Sequence, residues 1–203
     1  MTRVKICGIT AIEDGLHAAH AGADAIGLVF YAKSPRYVEA ANAAAIVRAL
    51  PPFVTVVGLF VDALEDYVRA VLERVPIDVL QFHGQESPGY CARFGRPYLK
   101  AVRVREDTDL LQCAADYAQA QALLLDAYVP GVPGGTGERF DWTRIPGRLP
   151  KPIVLSGGLA PGNVREAVAQ VHPWAVDVSS GVEASPGRKD PAKVSLFIER
   201  AKA

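Results

Sequence analysis

A regular alternation of short β-rich apolar runs with segments of helical periodicity constrains the fold of this 203-residue chain more than any other feature. Most of the runs are continuously apolar, which is typical of strands that are buried on both faces. The alternation does not change character along the chain, so it predicts a parallel α/β fold in one domain that spans residues 1–203. The candidate strands are 4–7, 24–30, 53–60, 78–82, 97–104, 122–126, 152–156 and 175–178.

Between the candidate strands, apolar residues recur with the i, i+3, i+4, i+7 type of spacing found in helices that pack one face on a core. This spacing predicts helices that cover the strands. The four clearest stripes are Ala43, Ile46, Val47 and Leu50; Leu64, Val68, Val71, Leu72 and Val75; Val164, Ala167, Val168 and Val171; and Val194, Phe197, Ile198 and Ala201.

Three polar residues stand where helices are expected to begin. Thr10 and Asp62 are each followed three residues later by glutamate, which is the spacing of a capping box. Ser87 precedes a proline, which is typical of an N-cap followed by the first helical residue. A cap explains all three residues without a ligand, so we interpret them as structural.

Eight strand–helix units in 203 residues predict a (β/α)₈ TIM barrel near the short end of that fold's size range. The main alternative is an open doubly wound sheet. A dinucleotide-binding sheet of that kind carries GxGxxG after its first strand, whereas "CGIT" stands at this position. The barrel is therefore the favoured fold class.

Composition points to a small-molecule partner. Basic and acidic residues both number 22, so no excess of charge indicates nucleic acid. Cys7, Cys91 and Cys113 are widely spaced and form no CxxC pair, which disfavours a disulfide framework or a zinc site and is compatible with a reducing cytoplasm. We find no signal peptide and no apolar run of about 18 residues, so we expect a soluble cytoplasmic protein with no membrane contact. No metal and no cofactor is expected.

Residues at the carboxyl ends of the strands are the candidates for chemistry, because barrel enzymes carry their active sites at that end. They include a thiol, a carboxylate, cations and two glycine-rich turns. In chain order they are Cys7, Arg36, Phe60, His83, Arg103, Asp126, Ser156 with Gly157 and Gly158, and Asp177 to Gly181.

The turns after the seventh and eighth strands, "SGGLAPGNV" and "DVSSGVE", are candidate phosphate sites. Small residues such as Gly157, Gly158, Ser180 and Gly181 let backbone N–H groups approach a phosphate, and loops seven and eight frequently bind phosphate in barrel enzymes. The alternative is that both are simply tight turns. The irregular stretch 128–139, rich in glycine and proline, is either a lid or a passive connector.

Each remaining candidate has a structural interpretation beside the functional one. Cys7 could be a small buried apolar residue, and Arg36, in the stiff corner "SPRYV", could be a solvated surface cation. His83 could be structural or could position substrate. Asp126 ends an apolar run, where a carboxylate needs a hydrogen-bond partner or a catalytic task. A thiolate that takes a proton and a carboxylic acid that gives one would suit an isomerisation.

The ordered motifs resemble those of the N-(5'-phosphoribosyl)anthranilate isomerase family. The resemblance covers nearly the whole chain, and although one motif alone is weak, the ordered set is highly specific. The motifs are "KICGIT" at 5–10, "GADAIGLVF" at 22–30, "SPRYV" at 34–38, "GLFV" at 58–61, "LQFHG" at 80–84, "LLLDAY" at 123–128, "GGTGERFDW" at 134–142, "LSGGL" at 155–159 and "DVSSGVE" at 177–183.

The resemblance implies a cofactor-free Amadori rearrangement in tryptophan biosynthesis, which converts phosphoribosylanthranilate to 1-(2-carboxyphenylamino)-1-deoxyribulose 5-phosphate. By matching motif, Asp126 would be the general acid, Cys7 the general base, and Arg36 the partner of the anthranilate carboxylate. The two glycine-rich turns would hold the phosphate. His83 and Asp177 complete the expected substrate site.

The sequence leaves two other functions open. Indole-glycerol-phosphate synthase, a barrel enzyme of the same pathway, also binds phosphate and an anthranilate group, but it resembles this chain less because its acid is a lysine. A catalytically silent binding protein is disfavoured by the intact acid and base candidates. The sequence does not decide between a monomer and a homodimer.

Overall fold

The computed structural model describes residues 1–127 and 141–203, and within them eight parallel strands form a closed barrel. Neighbouring strands pair in chain order, and the first strand pairs with the last to close the barrel. This closure confirms the (β/α)₈ fold class and excludes the open sheet. The strands are β1 Arg3–Cys7, β2 Ala25–Val29, β3 Thr55–Phe60, β4 Val79–Phe82, β5 Tyr98–Val104, β6 Ala122–Ala127, β7 Ile153–Leu155 and β8 Ala175–Val178.

All eight predicted strands are present, and their ends lie close to the predicted ones. The largest difference is at β3, which begins two residues later than expected. Phe53 is fully exposed and has a positive φ of 70°, so it belongs to the turn before the strand. Prolines at positions 97 and 152 likewise lie just outside β5 and β7.

Seven α-helices are present in the described part of the chain, and most of them cover the outside of the barrel. Between β6 and β7 the described residues form a short 3₁₀ helix instead. The stretch 128–139, interpreted from the sequence as either a lid or a passive connector, lies outside the described residues. The helices are α1 Ile12–His20, α2 Ala40–Ala49, α3 Glu65–Arg74, α4 Pro88–Cys91, α5 Leu110–Asp116, α6 Val164–Val171 and α7 Pro191–Lys202, with 3₁₀ helices Ala92–Phe94, Trp142–Arg144 and Ser180–Val182 and a hairpin of β9 Glu183–Ser185 and β10 Arg188–Lys189.

One of the three predicted helix caps is confirmed. The Ser87 hydroxyl accepts a hydrogen bond from the N–H of Tyr90 at the start of α4. The other two predictions are wrong. Thr10 donates its hydroxyl hydrogen to the carbonyl of Gly187, and Asp62 accepts the N–H of Gln85, so distant backbone groups bind both side chains. Helices α1 and α3 begin without a side-chain cap.

The core has two layers that follow from strand alternation. Outward residues such as Val4 and Ile6 pack under the helices, and the predicted stripes supply the helical side of this layer. Leu64 is an exception, since it precedes α3 and is 80% exposed. Inward residues fill the barrel, with small apolar side chains in the middle and polar ones toward the carboxyl ends of the strands. The polar end of the barrel is therefore where chemistry is possible.

Candidate active site

A cavity opens at the carboxyl ends of the strands and collects nearly all of the predicted site residues. Gly181, Phe60 and Arg103 are the exceptions among the strand-end candidates. Gly181 contributes to the packing of the wall, Phe60 is buried in the hydrophobic core, and Arg103 donates to the carbonyl of His83. Residues more than 140 positions apart in sequence thus share one space. The predicted residues that line the cavity are Cys7, Arg36, His83, Asp126, Gly157, Gly158, Asp177 and Ser180.

Asp126 is buried near the end of β6, and both of its carboxylate oxygens have partners. Oδ2 lies 3.1 Å from Nε2 of His83, and Oδ1 accepts the N–H of Ala127 at 3.0 Å. The carboxyl group is thereby held in one orientation at the floor of the cavity. A fixed carboxyl group is what proton transfer to a bound molecule requires.

His83 connects Asp126 to a second buried group. Its Nδ1 lies 3.0 Å from Nε2 of Gln81, which points into the barrel two residues earlier on β4. In this arrangement the Gln81 amide donates to Nδ1, so Nε2 carries the ring hydrogen and donates it to Asp126. The Oε1 atom of Gln81 is buried without a hydrogen-bond partner among the described residues. His83 therefore orients the carboxyl group as well as lining the cavity.

Cys7 ends β1 and points into the cavity, where it is buried. Burial raises the pKa of its thiol, and the positive charges of Lys5 and Lys189 oppose that rise. Asp177, on the adjacent β8, acts in the same direction as burial. The thiol also packs against Val29 and Leu59, and it lines the cavity, whereas Cys91 is buried away from the cavity.

Arg36 lies at the rim, and one edge of its guanidinium is already paired. Nε and Nη2 donate to Oε1 and Oε2 of Glu183 at 2.7 and 2.8 Å. The Ser34 hydroxyl accepts the Arg36 N–H and stiffens the corner that the sequence predicts. A guanidinium has five N–H donors, so three remain for a ligand. The Arg36 side chain is fixed by its hydrogen bonds to Glu183, so it is not a solvated surface cation.

Glu183 is kept ionised by its neighbours. Burial raises the pKa of its carboxyl group, but hydrogen bonds from Arg36 and the charge and hydrogen bond of Lys189 outweigh burial, so the pKa is lowered overall. Lys189 lies 3.0 Å from Oε1 of Glu183. The carboxylate that holds Arg36 in place is therefore ionised at neutral pH.

The turn after β7 passes so close to β6 that it requires glycine. Gly157 has a φ of 81°, and a Cβ there would lie 2.9 Å from Oδ1 of Asp126. The backbone N–H groups of Gly157 and Gly158 have no hydrogen-bond partner among the described residues. Asn163 holds the turn by donating to the carbonyl of Gly158. Two free N–H groups at the rim can bind an anion.

The turn after β8 forms the neighbouring part of the wall. Ser180 lines the cavity, whereas the backbone of Gly181 packs directly against the carbonyl of Leu159. Any side chain at position 181 would overlap that carbonyl. Gly181 therefore brings the two turns together, which places their backbones around one space.

Asp177 differs from the sequence expectation in its contacts. Its Oδ1 accepts from the ammonium group of Lys5 at 2.8 Å, and Ser156 donates to Oδ2 at 3.4 Å. The carboxylate thus lines the cavity but is engaged inside the barrel wall.

Three site residues were not identified as candidates from the sequence: Lys5, Gln81 and Glu183. All three lie within the motifs quoted above, and alternation supplies a signal for two of them. Lys5 and Gln81 stand two residues before Cys7 and His83, so they point to the same face of their strands. Nothing local indicates Glu183, because its contact with Arg36 spans 147 positions.

Two further observations concern the described part of the chain. There, no three His, Cys, Asp or Glu side chains are grouped in a way that could hold a metal ion. None of its helices combines the length and apolar character needed to cross a bilayer.

Comparison with known proteins gives a consistent result. A family model described as N-(5'-phosphoribosyl)anthranilate (PRA) isomerase matches residues 4–200. The N-(5'-phosphoribosyl)anthranilate isomerase of Thiobacillus denitrificans is 65% identical over 202 residues, which cover 99% of this chain and 98% of that one.

Solved structures agree with the sequence relatives. The crystal structure of phosphoribosyl anthranilate isomerase from Thermotoga maritima is 43% identical, with a TM-score of 0.91 and coverage of 100% of this chain and 99% of that one. A phosphoribosyl anthranilate isomerase in complex with reduced 1-(o-carboxyphenylamino)-1-deoxyribulose 5-phosphate is 42% identical, with a TM-score of 0.88 and the same coverage.

Proposed function

The chain belongs to the N-(5'-phosphoribosyl)anthranilate isomerase family, and from this premise we propose that it rearranges its substrate by general acid–base catalysis. The protein is an isomerase of tryptophan biosynthesis. The observation that carries the mechanism is that Cys7 and Asp126, from β1 and β6, line one cavity together with Arg36 and the two glycine-rich turns. A base, Cys7, and an acid, Asp126, can thus both act on one molecule bound in the cavity.

Asp126 is the proposed general acid. In its protonated form it gives a proton to the furanose ring oxygen of phosphoribosylanthranilate. The C1–O bond breaks as the nitrogen lone pair forms a C=N bond, which leaves a protonated, cationic Schiff base. The support for this role is the fixed carboxyl group, whose oxygens are bound by His83 and the Ala127 N–H. The Asp126 carboxyl group is therefore oriented before the substrate reacts.

Cys7 is the proposed general base. As a thiolate it takes the proton from C2 of the Schiff base, which forms a neutral enolamine and a thiol. The enolamine then tautomerises to the aminoketose. Because the thiol lines the cavity and has Lys5 and Lys189 near it, its position supports a proton-transfer role.

Binding groups account for the two charged ends of the substrate. We assign the free donors of Arg36 to the anthranilate carboxylate, since a planar guanidinium matches a planar carboxylate. We assign the turns at 156–158 and 179–181 to the phosphate, supported by the free N–H groups of Gly157 and Gly158. His83 positions Asp126, and Asp177 acts through Lys5.

We further propose that the enzyme acts in the cytoplasm, as a monomer or a homodimer, on a small phosphorylated molecule and without a nucleic-acid partner. Equal numbers of basic and acidic residues support the last point. The complex of a 42% identical isomerase with a reduced phosphorylated product supports the substrate class.

The mechanism is tested by turnover of Cys7→Ala and Asp126→Asn, with phosphoribosylanthranilate made in situ and followed by loss of its fluorescence. Each variant should lower kcat by about 10² to 10⁴, with much smaller changes in KM, because each loses one proton-transfer group. Matched controls are Cys113→Ala and Asp116→Asn, which lie outside the cavity and should keep near-parent turnover.

Circular dichroism melts accompany the assay. Near-parent kcat in Cys7→Ala or Asp126→Asn would remove that residue from the mechanism. Loss of the cooperative unfolding transition in either variant would show that the residue is needed for folding instead. Absence of any turnover by the parent protein would favour a binding protein. Conversion of 1-(2-carboxyphenylamino)-1-deoxyribulose 5-phosphate instead of its formation would favour the synthase alternative.

A further inference from the structure

We propose that Lys5 is a positioning residue for Cys7: its buried ammonium group stabilises the Cys7 thiolate, and Asp177 limits that stabilisation. The proposal rests on the role of Cys7 as the base. Lys5 lies beside Cys7 on the inside of the barrel, and its role is electrostatic; it does not itself transfer a proton to or from the substrate.

Strand alternation places Lys5 and Cys7 on the same inward face of β1. The Lys5 ammonium lies 2.8 Å from Oδ1 of Asp177, and both side chains are about 95% buried, at 5% and 6% exposure. Lys5 also lies near enough to Cys7 for each side chain to shift the pKa of the other. Lys5 is therefore a buried cation that lies beside one carboxylate and one thiol.

Gly27 of the neighbouring strand makes this contact possible. It pairs with Cys7 in the register of β1 and β2. A Cβ at position 27 would lie 2.7 Å from Sγ of Cys7 and 3.1 Å from Cε of Lys5. The lysine stem and the sulfur therefore occupy the space that glycine leaves free.

The charges that act on Cys7 come from three sides. Lys5 on β1 and Lys189 on β10 favour the thiolate, while burial and Asp177 on β8 oppose it. Arg36 also interacts with Cys7. Lys189 and Arg36 share the single carboxylate of Glu183, and burial lowers the pKa of Lys189, whereas Lys5 has the carboxylate of Asp177 as its partner. Lys5 is the cation whose stem lies beside the sulfur, on the same inward face of β1.

Lys5 keeps its own charge in this setting. Burial lowers the pKa of its ammonium group, but the negative charges of Asp177 and Cys7 outweigh burial, so the pKa is raised overall. When Cys7 takes the C2 proton, its negative charge is lost and Lys5 remains paired with Asp177. The ammonium group thus favours the thiolate before the proton transfer and needs no rearrangement afterwards.

The test measures the thiol pKa of Cys7 from the pH dependence of alkylation by iodoacetamide, in a Cys91→Ala/Cys113→Ala background. Asp177→Asn removes the opposing charge and should lower the Cys7 pKa below that of the parent. Lys5→Met/Asp177→Asn removes both charges without leaving one buried alone. It should have a Cys7 pKa at least about one unit above that of Asp177→Asn, which is a tenfold loss of thiolate at neutral pH.

Turnover supplies a second readout. Relative to Asp177→Asn, the double variant should lose about tenfold in kcat at neutral pH, and the loss should shrink as pH rises through the higher thiol pKa. Equal alkylation pKa values in the two variants would overturn the proposal. If the double variant does not fold, Asp177→Asn alone decides, because an unchanged or raised Cys7 pKa contradicts the proposal.

Failure of the base assignment gives a different pattern. If Cys7→Ala keeps its turnover while the alkylation pKa values still separate, the proposed function of Cys7 is wrong and the electrostatic effect of Lys5 stands. If Cys7→Ala is inactive and the alkylation pKa values do not separate, only the inference about Lys5 is wrong.

Discussion

At the residue scale, Glu183 fixes the plane in which Arg36 presents its free donors. The two hydrogen bonds of 2.7 and 2.8 Å run along one edge of the guanidinium, so the opposite edge is oriented before any ligand binds. A preformed orientation reduces the entropy that binding must offset. Lysine, a point charge on a flexible stem, cannot reproduce both contacts.

Replacement of Arg36 should therefore weaken substrate binding. Arg36→Ala removes a charge-assisted pair worth about 1.5 to 3 kcal/mol, which is roughly a tenfold to hundredfold rise in KM. Arg36→Lys should recover part of this loss. Steady-state kinetics check the result, with Arg69→Ala, an exposed arginine outside the cavity, as the control. An unchanged KM in Arg36→Ala would take this residue out of the anthranilate site.

At the element scale, the two glycine-rich turns act as one unit because Gly181 lets the second turn pack against the first. Gly158 has a φ of 63°, so any side chain there would strain the backbone as well as block the rim. Ser180 is half-buried and its backbone carries no such restriction. A substitution at position 180 therefore tests the proposed phosphate site without straining the backbone.

Ser180→Asp should raise KM strongly by repelling the phosphate, while Ser180→Ala should change it little. Inorganic phosphate should compete with substrate in the parent protein and more weakly in Ser180→Asp. The measurement is the inhibition constant of phosphate in each protein, beside a thermal melt. Competition of equal strength in both proteins would contradict the assignment.

The start of α7 offers a test of local stability. Asp190 accepts from the N–H groups of Ala192 and Lys193, and Pro191 occupies the first turn. Asp190→Ala should lower the free energy of unfolding by about 0.5 to 2 kcal/mol, and Asp190→Asn by less, since asparagine also caps helices. Urea denaturation measures both, and equal losses in the two variants would argue against a cap.

At the scale of the whole molecule, α7 completes the outer layer where the first and last strands meet. It contacts β1, α1 and α6, and its buried face includes Val194, Phe197, Ile198 and Ala201. The final helix therefore covers the junction that closes the barrel. Loss of its packing should destabilise the fold, because α7 covers β1, whose pairing with β8 closes the barrel.

Phe197→Ala should lower the free energy of unfolding by about 3 to 5 kcal/mol, as expected for a large side chain removed from a packed core. Leu196→Ala, at a position 37% exposed against 0% for Phe197, should cost less than about 1 kcal/mol. Urea denaturation in a single transition is the measurement. A loss below about 1 kcal/mol in Phe197→Ala would show that α7 is dispensable for closure.

The sequence by itself determined the features that depend on near neighbours. Continuous apolar runs predict the eight strands, helical spacing predicts four of the covering helices, and Ser87 caps its own helix. Strand alternation also predicts which side chains share the inside of the barrel. Ordered motifs at the strand ends were enough to indicate the family.

Only the tertiary structure decided which distant groups meet. Thr10 and Asp62 have cap spacing, yet each binds a distant backbone group, because a hydrogen bond offered by the fold replaces the local one. Arg36 and Glu183 are 147 positions apart, and Lys5 and Asp177 are 172 apart. These pairs follow from barrel closure and burial, which bring charges together out of water, and no local pattern carries that information.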